Sequence, residues 1–103
     1  MCRMQYVLVL AVISLLWVGL ASAASVSRGE ALYKRLGCAG CHGGAGGSKL
    51  AGYPSLNTFS ARSAASELNR YRSGARRDPT MNALARNLSD SEIEDLAAYI
   101  ESF

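Results

Sequence analysis

Three residues that can bind a cofactor or a metal lie together in the first half of the chain. Cys38 and Cys41 are separated by two small residues, and His42 follows directly. Two thiols at this spacing can add across the two vinyl groups on one edge of a porphyrin, and the following imidazole is then held under the iron. C-x-x-C-H is the attachment signature of c-type haem. The motif therefore predicts covalent haem at Cys38 and Cys41, with His42 as an axial ligand.

Three other uses of the two cysteines are less favoured. A structural zinc ion needs four protein ligands, and beyond residue 23 the chain has two cysteines and one histidine. Zinc would therefore need a carboxylate or a ligand from another molecule. A thioredoxin-like redox motif belongs to a βαβ pattern, which is absent here. A disulfide between Cys38 and Cys41 would close a negligible loop.

Met81 is the candidate for the second axial ligand. It is the only methionine beyond residue 23, and His42 is the only histidine of the chain, so two histidines cannot ligate one iron. Methionine and histidine ligation together raise the reduction potential of haem iron. The alternatives are a methionine that only fills a gap in the core, a lysine or tyrosine ligand, or an open sixth position. The sequence favours axial ligation by Met81.

The first 23 residues have the pattern of a secretory signal peptide. Arg3 gives the positive charge, Tyr6–Leu20 is almost entirely apolar, and Ala21–Ala23 is an A-x-A-type cleavage site. Cleavage is favoured over retention as a membrane anchor, although the apolar stretch approaches the length of about 20 residues that spans a bilayer. We therefore predict a signal peptide over 1–23 and a periplasmic domain over 24–103.

Composition limits what this domain can be. The chain has 103 residues, and its net charge of +3 comes from 11 basic and 8 acidic residues with no lysine- or arginine-rich block. This excess is too small to indicate nucleic-acid binding, and two prolines with no low-complexity tract argue against disorder. A domain of this size usually needs a disulfide, a metal or a similar device to be stable. Covalent haem would meet that need.

The helix signals predict an all-α domain with three main helices and long loops wrapped around one haem. Ser27–Glu30 fits a capping box that opens a first helix ending near Gly37. A second helix is predicted from about Ser60 to Ser73, with Gly74 ending it. A capping box at Ser89–Glu92 opens the third helix. Its apolar stripe consists of Ile93, Leu96, Ala97, Ile100 and Phe103.

Two segments between these helices are predicted to be irregular. Gly43–Gly47 contains four glycines, and Ala75–Thr80 is basic and contains Asp78-Pro79 just before Met81. The arginines at 70, 72, 76 and 77 either pair with haem propionates and face an acidic partner, or lie on a solvated surface. Side chains expected to line the haem, or to belong to the ordinary core, are Leu36, Leu56, Leu68, Tyr71, Leu84 and Leu88.

Residues outside the C-x-x-C-H motif also match one family. Gly29 and Tyr33 match its glycine and aromatic on the N-terminal helix, and Leu96 and Tyr99 match the facing pair on its C-terminal helix. On these residues the chain beyond the leader resembles a class I cytochrome c of the small bacterial type, similar to the cytochrome c-553 and c4/c5-like groups. Further matching segments are Gly52–Leu56, Leu68–Gly74, Leu88–Asp90 and Leu96–Ile100.

The resemblance implies a cytochrome c fold with one haem c and a role as an electron carrier rather than an enzyme. It implies that the Pro54 carbonyl accepts a hydrogen bond from the axial histidine, which fixes the imidazole plane and tautomer. Implied donors are a cytochrome bc1 complex or a dehydrogenase, and implied acceptors are a terminal oxidase or reductase. Two alternatives stay open: a haem subunit of a larger oxidoreductase, and a ligand sensor or peroxidase-like protein with an open sixth site.

The chain without haem is expected to be largely unfolded, because so small a domain would lose the apolar group against which its helices pack. The measurement is far-ultraviolet circular dichroism of a Cys38→Ser/Cys41→Ser chain. Native helicity in that variant would contradict the expectation.

Overall fold

The computed structural model describes residues 23–103, and this part of the chain contains five helices. They are α1 (Val26–Arg35), α2 (Ala39–His42), α3 (Ala61–Ser73), α4 (Pro79–Ala85) and α5 (Asp90–Glu101). These residues form no β-strand, and none of their helices has the length and apolar character needed to cross a membrane. The all-α prediction is confirmed. The predicted signal peptide lies outside the described residues except for Ala23.

The three long helices are the predicted ones, with one correction at the start of α1. Ser25, rather than Ser27, caps this helix, because the Ser25 side chain accepts a hydrogen bond from the Arg28 N–H at 3.2 Å. The proposed capping box at Ser27–Glu30 is therefore wrong. Glu30 instead pairs with Lys34 one turn later, at 2.9 Å.

The predicted bounds of α3 and the predicted capping box of α5 are confirmed. Ser60 caps α3 through the Ser63 N–H, and Gly74 ends the helix in the left-handed region at φ 83°, which favours glycine. At α5, Ser89 accepts from the Glu92 N–H while Glu92 accepts from the Ser89 N–H, which is a complete capping box.

The short helix α4 corrects the prediction of an irregular segment up to Thr80. Asp78 is the N-cap, and its side chain accepts from the Met81 N–H at 3.0 Å. Pro79 occupies the first helical position, where its missing N–H costs nothing. Met81 therefore lies in the first turn of a helix rather than beside one, and its backbone is fixed by the cap.

Helices α1 and α5 cross in close contact at Gly29. A Cβ atom placed on Gly29 would lie 2.0 Å from the backbone oxygen of Asp95 and 2.8 Å from the Cβ of Tyr99. Beside this crossing the rings of Tyr33 and Tyr99 pack edge to face, with centroids 5.3 Å apart. No side chain fits between the two backbones, so glycine sets the distance between the helices.

The apolar core lies between α1, α3 and α5. The stripe predicted on α5 is buried, apart from the half-buried Phe103, which packs on the core. Phe103 also covers Gly46 of the glycine-rich loop, where a Cβ would lie 2.4 Å from its ring. The buried apolar residues are Leu32, Tyr33, Ala64, Ala65, Ala85, Leu88, Ile93, Leu96, Ala97 and Ile100.

A buried carboxylate joins the start of α1 to α5. Asp95 accepts a hydrogen bond from the Ser25 N–H at 2.7 Å and pairs with Arg28 Nε at 3.0 Å. The bond from Arg28 and then the bond from Ser25 hold the pKa of this carboxyl below its ordinary value. The folded chain therefore favours the ionised form of Asp95.

Substituting Gly29→Ala should destabilise the protein by about 1–3 kcal/mol or more, since the helices must move apart to admit the methyl group. In an open helix the same change would stabilise by about 0.5–1 kcal/mol, so the sign is informative. Thermal unfolding measures the effect. Gly44→Ala is the matched control because nothing lies within 4 Å of its added Cβ. Equal stability of the two variants would refute the close crossing.

Asp95→Asn should lower the free energy of unfolding at neutral pH by about 1–3 kcal/mol, because it removes the charge that Arg28 and Ser25 bind. A depressed carboxyl pKa contributes stability above the unfolded pKa of about 4, and this stability is lost as the pH falls through the folded pKa. The gap between wild type and variant should therefore shrink below pH 4. Denaturant unfolding across pH tests this, with the exposed Glu94→Gln as control. A gap that does not depend on pH would contradict the assignment.

Candidate haem site

One cavity brings together all four side chains that the sequence predicts for haem attachment and ligation. Cys38, Cys41, His42 and Met81 all contribute to its wall. The cavity has a volume of about 260 Å³, and most of its lining is apolar. Two thiols, an imidazole and a thioether in an apolar cavity form a donor set that fits haem c.

The single turn of α2 arranges the two thiols. The His42 N–H donates to the Cys38 carbonyl at 2.9 Å, so Cys38 and Cys41 stand one turn apart and on the same side of the backbone. Both are half-buried and no disulfide joins them. Burial raises the pKa of the Cys38 thiol. The disulfide alternative is thus not what the structure shows.

His42 is buried, with 7 % of its surface exposed, and one of its ring nitrogens forms a hydrogen bond within the protein. Nδ1 lies 2.8 Å from the carbonyl oxygen of Pro54. Because a carbonyl only accepts, Nδ1 carries the proton and donates it. Nε2 is then the unprotonated nitrogen that can bind a metal, and the hydrogen bond fixes the orientation of the ring.

Met81 reaches the cavity from α4, which packs against α3. Its position follows from the Asp78 cap on its backbone N–H. The signal for this short helix was present in the sequence as Asp78-Pro79, an N-cap residue followed by proline at the first helical position.

The cavity wall matches the predicted lining in part. Leu56, Leu68, Tyr71 and Leu84 line the cavity as expected. Leu36 and Leu88 do not line the cavity. They follow the second possibility, the ordinary core: Leu88 is buried in it, and Leu36 packs against it. Lining residues that were not predicted from the sequence include Tyr33, Tyr53, Phe59, Ala64, Leu96 and Ile100. Leu96 and Ile100 were visible as part of the α5 stripe, but periodicity does not tell core from cavity.

Tyr33 is a buried polar residue in this wall. Its hydroxyl donates to the Gly43 carbonyl at 2.5 Å, just beyond the end of α2. Burial raises the pKa of Tyr33 to about 12, with smaller contributions from Cys38 and Tyr99. The phenol therefore stays neutral at physiological pH and ties the C-terminal end of the haem-attachment turn to α1.

Of the arginines at 70, 72, 76 and 77, the first three form ion pairs within the chain. Arg70 and Arg76 both pair with Glu67, whose pKa is lowered mainly by the hydrogen bond from Arg76. Arg72 bonds to Asp90 at 2.6 Å and to the Leu88 carbonyl at 3.1 Å. Within residues 23–103 no ion pair is formed by Arg77, which lines the cavity together with Arg76.

The zinc and thioredoxin alternatives lack the structure they need. In the described part of the chain, no three histidine, cysteine, aspartate or glutamate side chains come together as a metal site. The same residues contain no strand, so the C-x-x-C pair is not part of a βαβ unit. Fold and donor set together define an all-α haem protein of the type with covalently attached haem.

Comparison with known proteins agrees with this class. The family model described as Cytochrome c matches residues 26–103. The chain belongs to the cytochrome c family. It carries one covalently bound haem c, and Cys38 and Cys41 lie in the C-x-x-C-H position of that family. Its resemblance to the small class I cytochromes c is thereby confirmed, and the chain is an electron-transfer haem protein.

Several curated relatives refine the comparison. A cytochrome c-553 of Helicobacter pylori (strain J99) is 40% identical over 65 residues, which cover 62% of this chain and 68% of the relative. A cytochrome c4 of Pseudomonas aeruginosa is 34% identical over 100 residues, covering 96% and 49%. A thiosulfate dehydrogenase electron acceptor of Stutzerimonas stutzeri is 39% identical over 77 residues, covering 74% and 36%. The chain thus spans only about a third to a half of the length of the last two.

Proposed function

We propose that this protein is a periplasmic carrier of single electrons, with haem c attached at Cys38 and Cys41 and its iron ligated by His42 and Met81. The observation that carries the proposal is the single cavity whose wall contains all four side chains. Haem c supplies an iron centre that gains and loses one electron.

The protein residues keep this centre fixed. The Pro54 carbonyl holds the proton of His42 on Nδ1, so that Nε2 would be the neutral nitrogen available to bind the iron. The Asp78 cap fixes the backbone of Met81. Because the His42 ring is held by the Pro54 carbonyl and the Met81 backbone by the Asp78 side chain, little would have to move when the charge of a bound iron changes. A thioether ligand would raise the reduction potential.

The periplasmic location rests on the predicted signal peptide over residues 1–23. For partners we propose redox proteins, with a cytochrome bc1 complex or a dehydrogenase as donor and a terminal oxidase or reductase as acceptor. The relative named a thiosulfate dehydrogenase electron acceptor supports the dehydrogenase as donor.

A haem subunit permanently bound to a larger oxidoreductase is the second candidate. The same relative's name favours it, but a permanent subunit should expose a large contiguous apolar patch. Among the described residues, the large apolar side chains that are exposed are Val26, Leu50 and Tyr53. Leu50 and Tyr53 share one turn, in which the Tyr53 N–H donates to the Leu50 carbonyl at 3.4 Å, while Val26 starts α1. Two neighbouring side chains are less than the large contiguous patch expected of a permanent subunit, so the surface favours a carrier that binds its partners transiently.

Removing the thioether tests the ligand set. Met81→Ala, expressed with the haem-attachment machinery, should lose the weak far-red band of methionine sulfur on ferric iron. Its midpoint potential should fall by on the order of 0.1 V, within the range of about 0.8 V that axial ligands span. Ferrous Met81→Ala should bind carbon monoxide without denaturant, and the wild type should not.

Leu84→Ala is the matched control, because it also truncates an α4 side chain that lines the cavity. It should keep both the band and the potential. Covalent haem is checked separately by mass spectrometry and by survival of the haem through acid-acetone extraction. A Met81 variant that keeps the band and the potential would refute methionine ligation, and wild-type protein that binds carbon monoxide readily would favour the open-site alternative.

A further inference from the structure

The segment that joins α3 to α4 is held by one amide side chain, that of Asn82. Asn82 Nδ2 donates to the Tyr71 carbonyl at 2.8 Å and to the Arg76 carbonyl at 2.9 Å. Asn82 Oδ1 accepts from the Asp78 N–H at 2.9 Å. The side chain thus binds the last turn of α3, the middle of the connecting segment and the N-cap of α4 at once.

These three bonds use the side chain in the one orientation that fits. The two carbonyls need donors and the Asp78 N–H needs an acceptor, which assigns the amide nitrogen and oxygen without ambiguity. The Tyr71 carbonyl lies in the last turn of its helix and also accepts a hydrogen bond from the Gly74 N–H at 3.3 Å, so Asn82 gives it a second, shorter bond. Asn82 is half-buried, whereas Arg76 and Asp78 are exposed. Removing the Asn82 side chain would therefore leave these two backbone groups to water and remove the bonds that join α3, the connecting segment and α4.

Asn82 also directly follows Met81. The Asp78 side chain accepts from the Met81 N–H, while the Asn82 side chain accepts from the Asp78 N–H. Two hydrogen bonds therefore hold together the start of α4, where Met81 lies. Arg76 adds two contacts to the same segment, an ion pair with Glu67 and a guanidinium 5.0 Å from the centre of the Tyr71 ring. The position of Met81 relative to α3 therefore depends on a hydrogen-bonded segment with Asn82 at its centre.

We propose that Asn82 is a positioning residue for the Met81 thioether: by fixing the segment Tyr71–Asp78, it keeps the sulfur in place and limits how readily another ligand displaces it. The inference rests on the proposed ligation by Met81. An ordered segment has already lost the conformational entropy that a loose one would lose on each return of the sulfur, so ligation is stronger.

Displacement of Met81 by imidazole in the ferric holoprotein measures this effect. Imidazole binding removes the far-red band, and its apparent affinity reports the equilibrium between bound and released thioether. For Asn82→Ala we expect about tenfold tighter imidazole binding, the change in an equilibrium constant that corresponds to one lost hydrogen bond of ordinary strength. Asn82→Ser keeps a short acceptor for the Asp78 N–H, and it should lie between Asn82→Ala and the wild type.

Asn87→Ala is the matched control, because Asn87 lies just beyond the other end of α4, is exposed and forms no side-chain hydrogen bond within residues 23–103. It should bind imidazole within twofold of wild type. All titrations are made well below the unfolding temperature, which is measured for each variant. If Asn82→Ala does not accumulate as holoprotein, Asn82→Ser gives the answer alone.

The outcomes separate the inference from the proposal beneath it. Unchanged imidazole affinity in the Asn82 variants, with or without a lower unfolding temperature, would show that Asn82 only stabilises the fold and would overturn the inference. If Met81→Ala retains the far-red band, methionine ligation itself fails. A tenfold change in Asn82→Ala beside a normal Asn87→Ala supports the positioning role.

Discussion

The close crossing of α1 and α5 at Gly29 is the constraint on which the other contacts depend. It lets the two terminal helices meet backbone to backbone, and the same contact places Tyr33 against Tyr99 and Asp95 against the start of α1. Once α1 is fixed, the turn that follows it is fixed too, because Tyr33 holds the Gly43 carbonyl just beyond α2. A contact between distant helices thereby positions the haem-attachment motif, which contributes no buried apolar residue of its own.

Each proposed ligand is then held by contacts close to it. His42 is oriented by Pro54, which lies 12 residues later, and Met81 by Asp78 and Asn82 at either side of it. These are hydrogen bonds between a side chain and the backbone, directional and short in range, whereas the crossing helices pack by shape. The division is physically sensible, since a ligand must be placed to within a fraction of an ångström and apolar packing alone tolerates larger shifts.

The parts of this structure that depend on local interactions were predictable from the sequence. The capping residue Ser89 and the terminating Gly74 were identified correctly, because each acts within one helical turn. The α1 cap was misplaced since Ser25 and Ser27 are both acceptable caps, and the choice depends on Asp95, which binds the Ser25 N–H from 70 residues away. Pro54 was reached only through the family resemblance, because nothing in its neighbourhood shows that its carbonyl meets an imidazole. Asn82 was missed for the same reason: its partners become neighbours only when α3 and α4 pack.

The cytochrome c4 relative differs from this chain in length. Nearly all of this chain matches the cytochrome c4, yet it covers 49% of that protein. The four proposed attachment and ligand residues all lie between Cys38 and Met81, inside the matched family domain. The rest of that relative is therefore not needed to supply those residues. On this chain the arginines at 70, 72 and 76 are engaged with Glu67 and Asp90. Their charges are partly neutralised within the fold, whereas Arg77, which lines the cavity, forms no ion pair within residues 23–103.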